Sequence, residues 1–270
     1  MHEAQDFYLS MRQARIKVRS IADPGQGPVL VFLHEALGCI DMWKGFPEQL
    51  CQRTALPGLV YDRLGHGGSS PLPGPVGPRN KDYLQQEAWV WLPEILNSLG
   101  LEQIIPIGHS DGATMALMFA AAYPQRVKCL ITEAAHVFVE EITRQGIRRA
   151  VETYHSTDLH HRLAKYHGHK TEALFRAWSE TWLSQEFASW NMEDQLPRIT
   201  SPALIMQGHD DEYGSEKQVE SIVSQVSGPA WPCILPECGH IPHLQARERT
   251  LDRMQEFLAA HARMKQDHLE

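Results

Sequence analysis

The chain is short of several things. Its net charge is −8 and it has no basic run beyond Arg148-Arg149, so a nucleic-acid surface is not expected. Its apolar runs are strand-sized or broken by charge, so no membrane-spanning helix is expected either. The opening Met1-His2-Glu3-Ala4-Gln5-Asp6 has neither a basic n-region nor an apolar h-region, and no signal peptide is read there. The five cysteines, Cys39, Cys51, Cys129, Cys233 and Cys238, form an odd set with no C-x-x-C, a pattern that predicts reduced thiols and a cytoplasmic location. Histidines crowd one stretch (His155, His160, His161, His167, His169), but no carboxylate or cysteine falls at ligand spacing beside them. They are read as solvated helix faces, with no metal and no cofactor expected. What remains is 270 residues, 43% hydrophobic, enough for one globular domain with an insertion.

Taken in order, the pattern is that of an α/β chain. Residues 7 to 20 alternate like a strand pair, and Ala22-Asp23-Pro24-Gly25-Gln26-Gly27 reads as a turn. Val29 to Leu33 and Gly58 to Asp62 are continuous apolar runs of buried-strand length. Between them Asp41 is expected to cap a helix through Trp43, Phe46, Leu50 and Cys51. A helix from about Asp82 to Leu99 stops at Gly100, and Val127 to Thr132 is a further strand. Residues 136–196 then break the rhythm, being helical in character with no good strand. The βα alternation returns at Ala203, with strands at Ala203–Gln207 and Cys233–Leu235 and a last helix from about Gln245. The expected architecture is a mostly parallel central sheet with helices on both faces. Residues 1–135 and 197–265 form the core, and 136–196 a helical cap over the carboxyl ends of the strands, where such sheets bind ligands.

The centre of this arrangement is Ile104-Ile105-Pro106-Ile107-Gly108-His109-Ser110-Asp111-Gly112, an apolar run that empties through G-x-S-x-G into an Ala/Leu/Met-rich helix. A strand–turn–helix of this kind is a nucleophile elbow, which holds the serine hydroxyl out over the sheet at a helix N-terminus. A serine hydroxyl needs a base within reach, and the base an orienting acid. Both fall on loops after later strands: Gly208-His209-Asp210-Asp211-Glu212, then Pro236-Glu237-Cys238-Gly239-His240. The residues alone leave Asp210, Asp211 and Glu212 open as the acid.

These motifs, in this order, resemble the α/β-hydrolase superfamily over nearly the whole chain. The resemblance implies the α/β-hydrolase fold, with Ser110 as nucleophile, Asp211, at the fourth position of its G-x-x-D loop, as orienter, and His240, following Gly239, as base. His243 lacks the preceding glycine and is read as a packing residue. His34-Glu35-Ala36 stands at the oxyanion loop, which implies donors at the backbone N–H groups of Ala36 and Asp111. Asp62-Arg63-Leu64-Gly65-His66-Gly67-Gly68-Ser69 is similar to the family's D-x-x-G-x-G-x-S turn. Gly-His-Ser-Asp-Gly is most like the valacyclovir-hydrolase-like members, in which the Asp after the nucleophile recognises the amino group of aminoacyl esters.

The expected function is therefore a serine hydrolase of a small carboxylic ester, with an aminoacyl-type ester as one candidate. Lactone and C–C hydrolysis and perhydrolysis on the same triad stay open, as does a non-catalytic small-molecule receptor. Glu35, Asp111, Glu133 and Trp178 are the candidate substrate contacts. Asp111 has a simpler account as an anion in the first turn of a helix, and Trp178, four residues from Trp182, as a packing residue. A small molecule is the only partner expected, and monomer and homodimer stay open.

Overall fold

The computed structural model describes residues 4–22 and 27–262, so Asp23 to Gln26 of the expected turn lie outside the described residues. Eight strands form one sheet in the order β1-β2-β4-β3-β5-β6-β7-β8. The strands are β1 (Gln5–Met11), β2 (Ala14–Ile21), β3 (Val29–Leu33), β4 (Gly58–Tyr61), β5 (Ile104–His109), β6 (Leu130–Glu133), β7 (Ala203–Gly208) and β8 (Ala230–Leu235). The β1–β2 and β2–β4 pairings are antiparallel and all others parallel.

Strand β3 shows why its sequence is apolar without alternation. Val29, Val31 and Leu33 enter one core layer and Leu30 and Phe32 the other, because successive side chains leave opposite faces and both faces are covered. On one face lie α2 (Tyr83–Gln86), α3 (Leu92–Ser98) and α4 (Asp111–Ala122); on the other, α1 (Phe46–Thr54). A π-helical turn, Glu87–Trp91, joins α2 to α3 just ahead of Pro93.

Asp41 does not cap a long helix. Lys44 and Gly45 take left-handed φ of 54° and 76°, which separates a 3₁₀ turn at Ile40–Trp43 from α1. Between β6 and β7 run α5 (Glu141–Ser156), α6 (Leu159–His167) and α7 (Thr171–Leu183), with short 3₁₀ turns after them. Tyr154, Leu163 and Phe175 from these helices make a small apolar cluster of their own, against which Leu37 and Met42 pack from the loop after β3. The chain closes with α8 (Lys217–Gln225) between β7 and β8, then α9 (Pro242–Gln245) and α10 (Arg247–His261).

The histidine stretch needs one correction. His155, His161 and His169 are exposed, but His167 is buried. Its Nδ1 accepts from the Gly67 N–H at 3.0 Å and its Nε2 donates to the Leu37 carbonyl at 2.9 Å, so it joins two loops rather than facing water.

Candidate active site

The sheet order determines where a crevice opens. From β3 the chain moves to β4 on one side, and later to β5 on the other. The loops leaving β3 and β5 therefore diverge, and that is where open α/β sheets take ligands. Glu35 and Ala36 follow β3; Ser110 follows β5.

The elbow turn is dictated by crowding. A Cβ on Gly108 would stand 2.2 Å from the Gly112 carbonyl oxygen, and one on Gly112 would stand 2.0 Å from the Leu33 carbonyl oxygen. Only glycine fits at either place. Ser110 itself is held at φ 53°, a left-handed conformation that costs a non-glycine residue energy and is found at functional sites. Its N–H is tied to the Glu133 carbonyl on β6 at 2.8 Å.

The structure brings Ser110, His240 and Asp211 into one line. The Ser110 hydroxyl donates to His240 Nε2 at 2.9 Å, and His240 Nδ1 donates to the two Asp211 carboxylate oxygens at 2.8 and 3.0 Å. Asp211 Oδ1 also accepts from the Tyr213 N–H at 2.8 Å. Burial works against charge on either group. For His240 the neighbouring Asp211 charge and hydrogen bond outweigh it, and its pKa is raised. The pKa of Asp211 is lowered by His240 in the same way, despite its burial. The neighbouring Asp210 and Glu212 are exposed.

A cavity of about 230 Å³ opens above the hydroxyl. Ser110, Asp111, His240, Glu35 and Ala36 line it from the core, and Ile147, Leu163, Phe175, Trp178 and Trp182 from α5–α7. Among the described residues, neither the Ala36 nor the Asp111 N–H donates to a protein acceptor. An imidazole that can take the hydroxyl proton, an acid holding that imidazole, and two free backbone donors can together carry out acyl transfer.

The candidate substrate contacts divide. Trp178 and Glu35 line the cavity. Glu35 accepts from the Leu37 N–H at 2.7 Å and, among the described residues, has no cationic side chain paired with it; burial raises its pKa. Asp111 also lines the cavity, but its Oδ2 accepts from Tyr83 Oη at 2.9 Å and lies 3.5 Å from Arg63 Nη1. An anion already compensated by a buried guanidinium is a poor anchor for a ligand's ammonium. Glu133 is placed elsewhere. It is fully buried behind Ser110, with its Oε2 accepting from His243 Nδ1 at 2.6 Å, and it does not line the cavity. At the end of β6 its side chain points into the core, not up towards α5–α7.

Sequence reasoning passed over Arg63, Tyr83 and Trp182 as a group. Trp182 Nε1 donates to Tyr83 Oη at 2.8 Å, and the tyrosine donates onward to Asp111, so α7 is tied to the elbow helix. Arg63 stands at an unspecified position of the Asp62–Ser69 turn, and nothing in the local sequence singles out Tyr83.

Comparison with known proteins agrees with this architecture. The family model described as alpha/beta hydrolase fold matches residues 28–154. A proline iminopeptidase of Lactobacillus helveticus is 23% identical over 282 aligned positions, covering 90% of this chain and 94% of that protein. The enol-lactonase from Burkholderia xenovorans superposes with a TM-score of 0.73 at 18% identity, covering 93% of this chain and 99% of its own. A thermophilic esterase from Thermogutta terrifontis gives a TM-score of 0.71 at 20% identity, covering 96% and 100%. The fold is that of the α/β hydrolases. Over residues 28–154 the sequence itself is similar to that family. Among the described residues no helix is long and apolar enough to cross a membrane.

Proposed function

We propose that this protein is a cofactor-independent serine hydrolase that cleaves a small carboxylic ester through an acyl-enzyme. The observation that carries this reading is the unbroken hydrogen-bonded line from Ser110 through His240 to Asp211, with the serine strained into the turn. In the reaction Ser110 Oγ attacks the carbonyl carbon and passes its proton to His240 Nε2. Asp211 holds the imidazole in the tautomer whose Nε2 is free to accept, and stabilises the imidazolium that forms. The tetrahedral oxyanion is received by the Ala36 and Asp111 N–H groups, each worth on the order of 3–4 kcal/mol to such an intermediate. The imidazolium then protonates the departing alkoxide. Water, deprotonated by the same nitrogen, releases the acid and restores the serine.

Residues 136–196 act in this reading as a helical cap that closes an apolar chamber over the ester. Glu35, one of two cavity-lining carboxylates (with Glu212) that no cationic side chain pairs with among the described residues, is the group we assign to a positively charged acyl part, which makes aminoacyl-type esters the first to try. The five free cysteines accord with a cytoplasmic setting.

The test is a fluorophosphonate probe with peptide mapping of the adduct. Labelling confined to Ser110, and abolished in Ser110→Ala, is the expected result. A folded protein that takes no label would remove the hydrolase reading and favour a receptor.

A further inference from the structure

Three successive carbonyls of the loop after β3 are held from behind by buried side chains. The Glu35 carbonyl accepts from Arg63 Nη2 and from His34 Nδ1, both at 2.8 Å. The Ala36 carbonyl accepts from His66 Nε2 at 2.9 Å, and the Leu37 carbonyl from His167 Nε2 at 2.9 Å. With the carbonyls committed to the protein side, the Ala36 N–H is left without a protein acceptor in a residue of the cavity wall. Among these clamps Arg63 differs in reaching the other donor as well. Its Nη1 lies 3.5 Å from the carboxylate of Asp111, whose own N–H is the second free donor. The guanidinium is 1% exposed, and its main-chain N–H is tied to His34 Nε2 at 3.0 Å, so it has little room to move. A rigid planar fork suits such a task, since its two nitrogens point in fixed directions.

We infer that Arg63 is a positioning residue that fixes the spacing between the two oxyanion donors, holding the β3 loop through the Glu35 carbonyl and the elbow helix through Asp111. The inference rests on the serine-hydrolase reading. A buried ion pair with only a structural role would change stability and leave the energetics of the tetrahedral intermediate alone.

The experiment compares wild type, Arg63→Lys and Arg63→Met, each verified as folded by circular dichroism and thermal melting. Turnover of p-nitrophenyl butyrate and inhibition by butylboronic acid, which forms a tetrahedral adduct on the serine, are measured together. The expected result is a fall in kcat of about 10- to 100-fold, short of the loss on deleting a donor outright. KM should stay within about threefold, because the interaction serves the transition state. The boronic acid should weaken by the same factor as kcat. Lys keeps the charge without the fork and should fall closer to Met than to wild type. If Met does not fold, Lys decides the question. An unchanged kcat in folded Arg63→Lys, or a loss confined to KM, overturns the inference while the hydrolase reading stands. A wild-type protein that takes no fluorophosphonate overturns both.

Discussion

Two histidine–carboxylate pairs lie side by side in this molecule, and only one of them meets a hydroxyl. His240 donates through Nδ1 to buried Asp211 at 2.8 Å; His243, three residues on, donates through Nδ1 to buried Glu133 at 2.6 Å. The His109 ring stands between them, 5.2 Å from His240 and 4.9 Å from His243. The surroundings of the two rings differ. His240 offers Nε2 to Ser110 and lines the cavity, whereas His243 packs against Trp43 at 4.5 Å and Phe46 at 5.6 Å. A carboxylate behind an imidazole therefore does not define a catalytic base. The group at the far nitrogen does, and here the turn after β5 supplies it, as Ser110, to one histidine only.

The largest effects should come from breaking the first pair. His240→Ala is expected to lower kcat by about 10⁶ and Asp211→Asn by about 10⁴, since both lose the oriented base. Steady-state turnover of an activated ester, with melting temperature as the control, measures both. The pH profile is a second reading of the same pair. The base works unprotonated, so activity falls as pH drops through the His240 pKa. Asp211 raises that pKa, so the acid limb should lie above the ordinary imidazole value of about 6.5. In Asp211→Asn the residual activity should have its limb at lower pH, because burial is then opposed only by the weaker influence of Glu212 and Glu35.

The second pair should respond the other way, in stability rather than rate. His243→Phe leaves buried Glu133 without its imidazole partner, and removing one side of a buried hydrogen bond costs about 1–3 kcal/mol. The double variant Glu133→Leu/His243→Phe removes both polar side chains and should recover most of that loss, because replacing both partners of a buried hydrogen bond by apolar groups can be nearly neutral. Denaturant titration checks the stabilities. kcat/KM should stay within a few-fold in every folded member of the series. A loss of 100-fold or more in the double variant would show that the two pairs act as one unit through His109, and the contrast between them would fail.

The sequence carried the first pair and concealed the second. Ser110, Asp211 and His240 each stand at the end of a strand that periodicity already locates, so topology alone brings them to one rim. Glu133 also ends a strand, which made it look like a rim residue. Its side chain turns inward because His243 waits there, 110 residues away in sequence, and no local pattern reports that meeting. His167 and Tyr83 were hidden for the same reason. Their partners, Gly67 and Leu37 for the one, Asp111 and Trp182 for the other, are set by how α2 packs on α4 and how α5–α7 lie over the strands. That packing depends on side-chain shape rather than on spacing. Asp41 shows a different failure: a good capping residue was present, but the left-handed Lys44-Gly45 step interrupted the helix it would have started.

The smallest effect, and the one that sharpens the contrast most, concerns Glu35. It is a carboxylate near His240 that is bound to neither histidine. Its Oε2 takes the Leu37 N–H, and a glutamine oxygen can keep that bond, so Glu35→Gln changes the charge and little else. If the charge receives a substrate's ammonium, the preference for an aminoacyl ester over its uncharged isostere should fall about tenfold, or about 1.4 kcal/mol. The uncharged ester should be turned over as before. Burial raises the pKa of this carboxyl, so in the wild type the preference should fade on acidification at a pH above the usual carboxylate range, while in Glu35→Gln it should be flat. Both esters share the acid limb of His240, so taking the ratio of their kcat/KM values cancels the base and isolates Glu35. A ratio equally flat in both proteins would assign Glu35 to its loop alone, as an acceptor for Leu37, and would leave the cavity selective by shape rather than by charge.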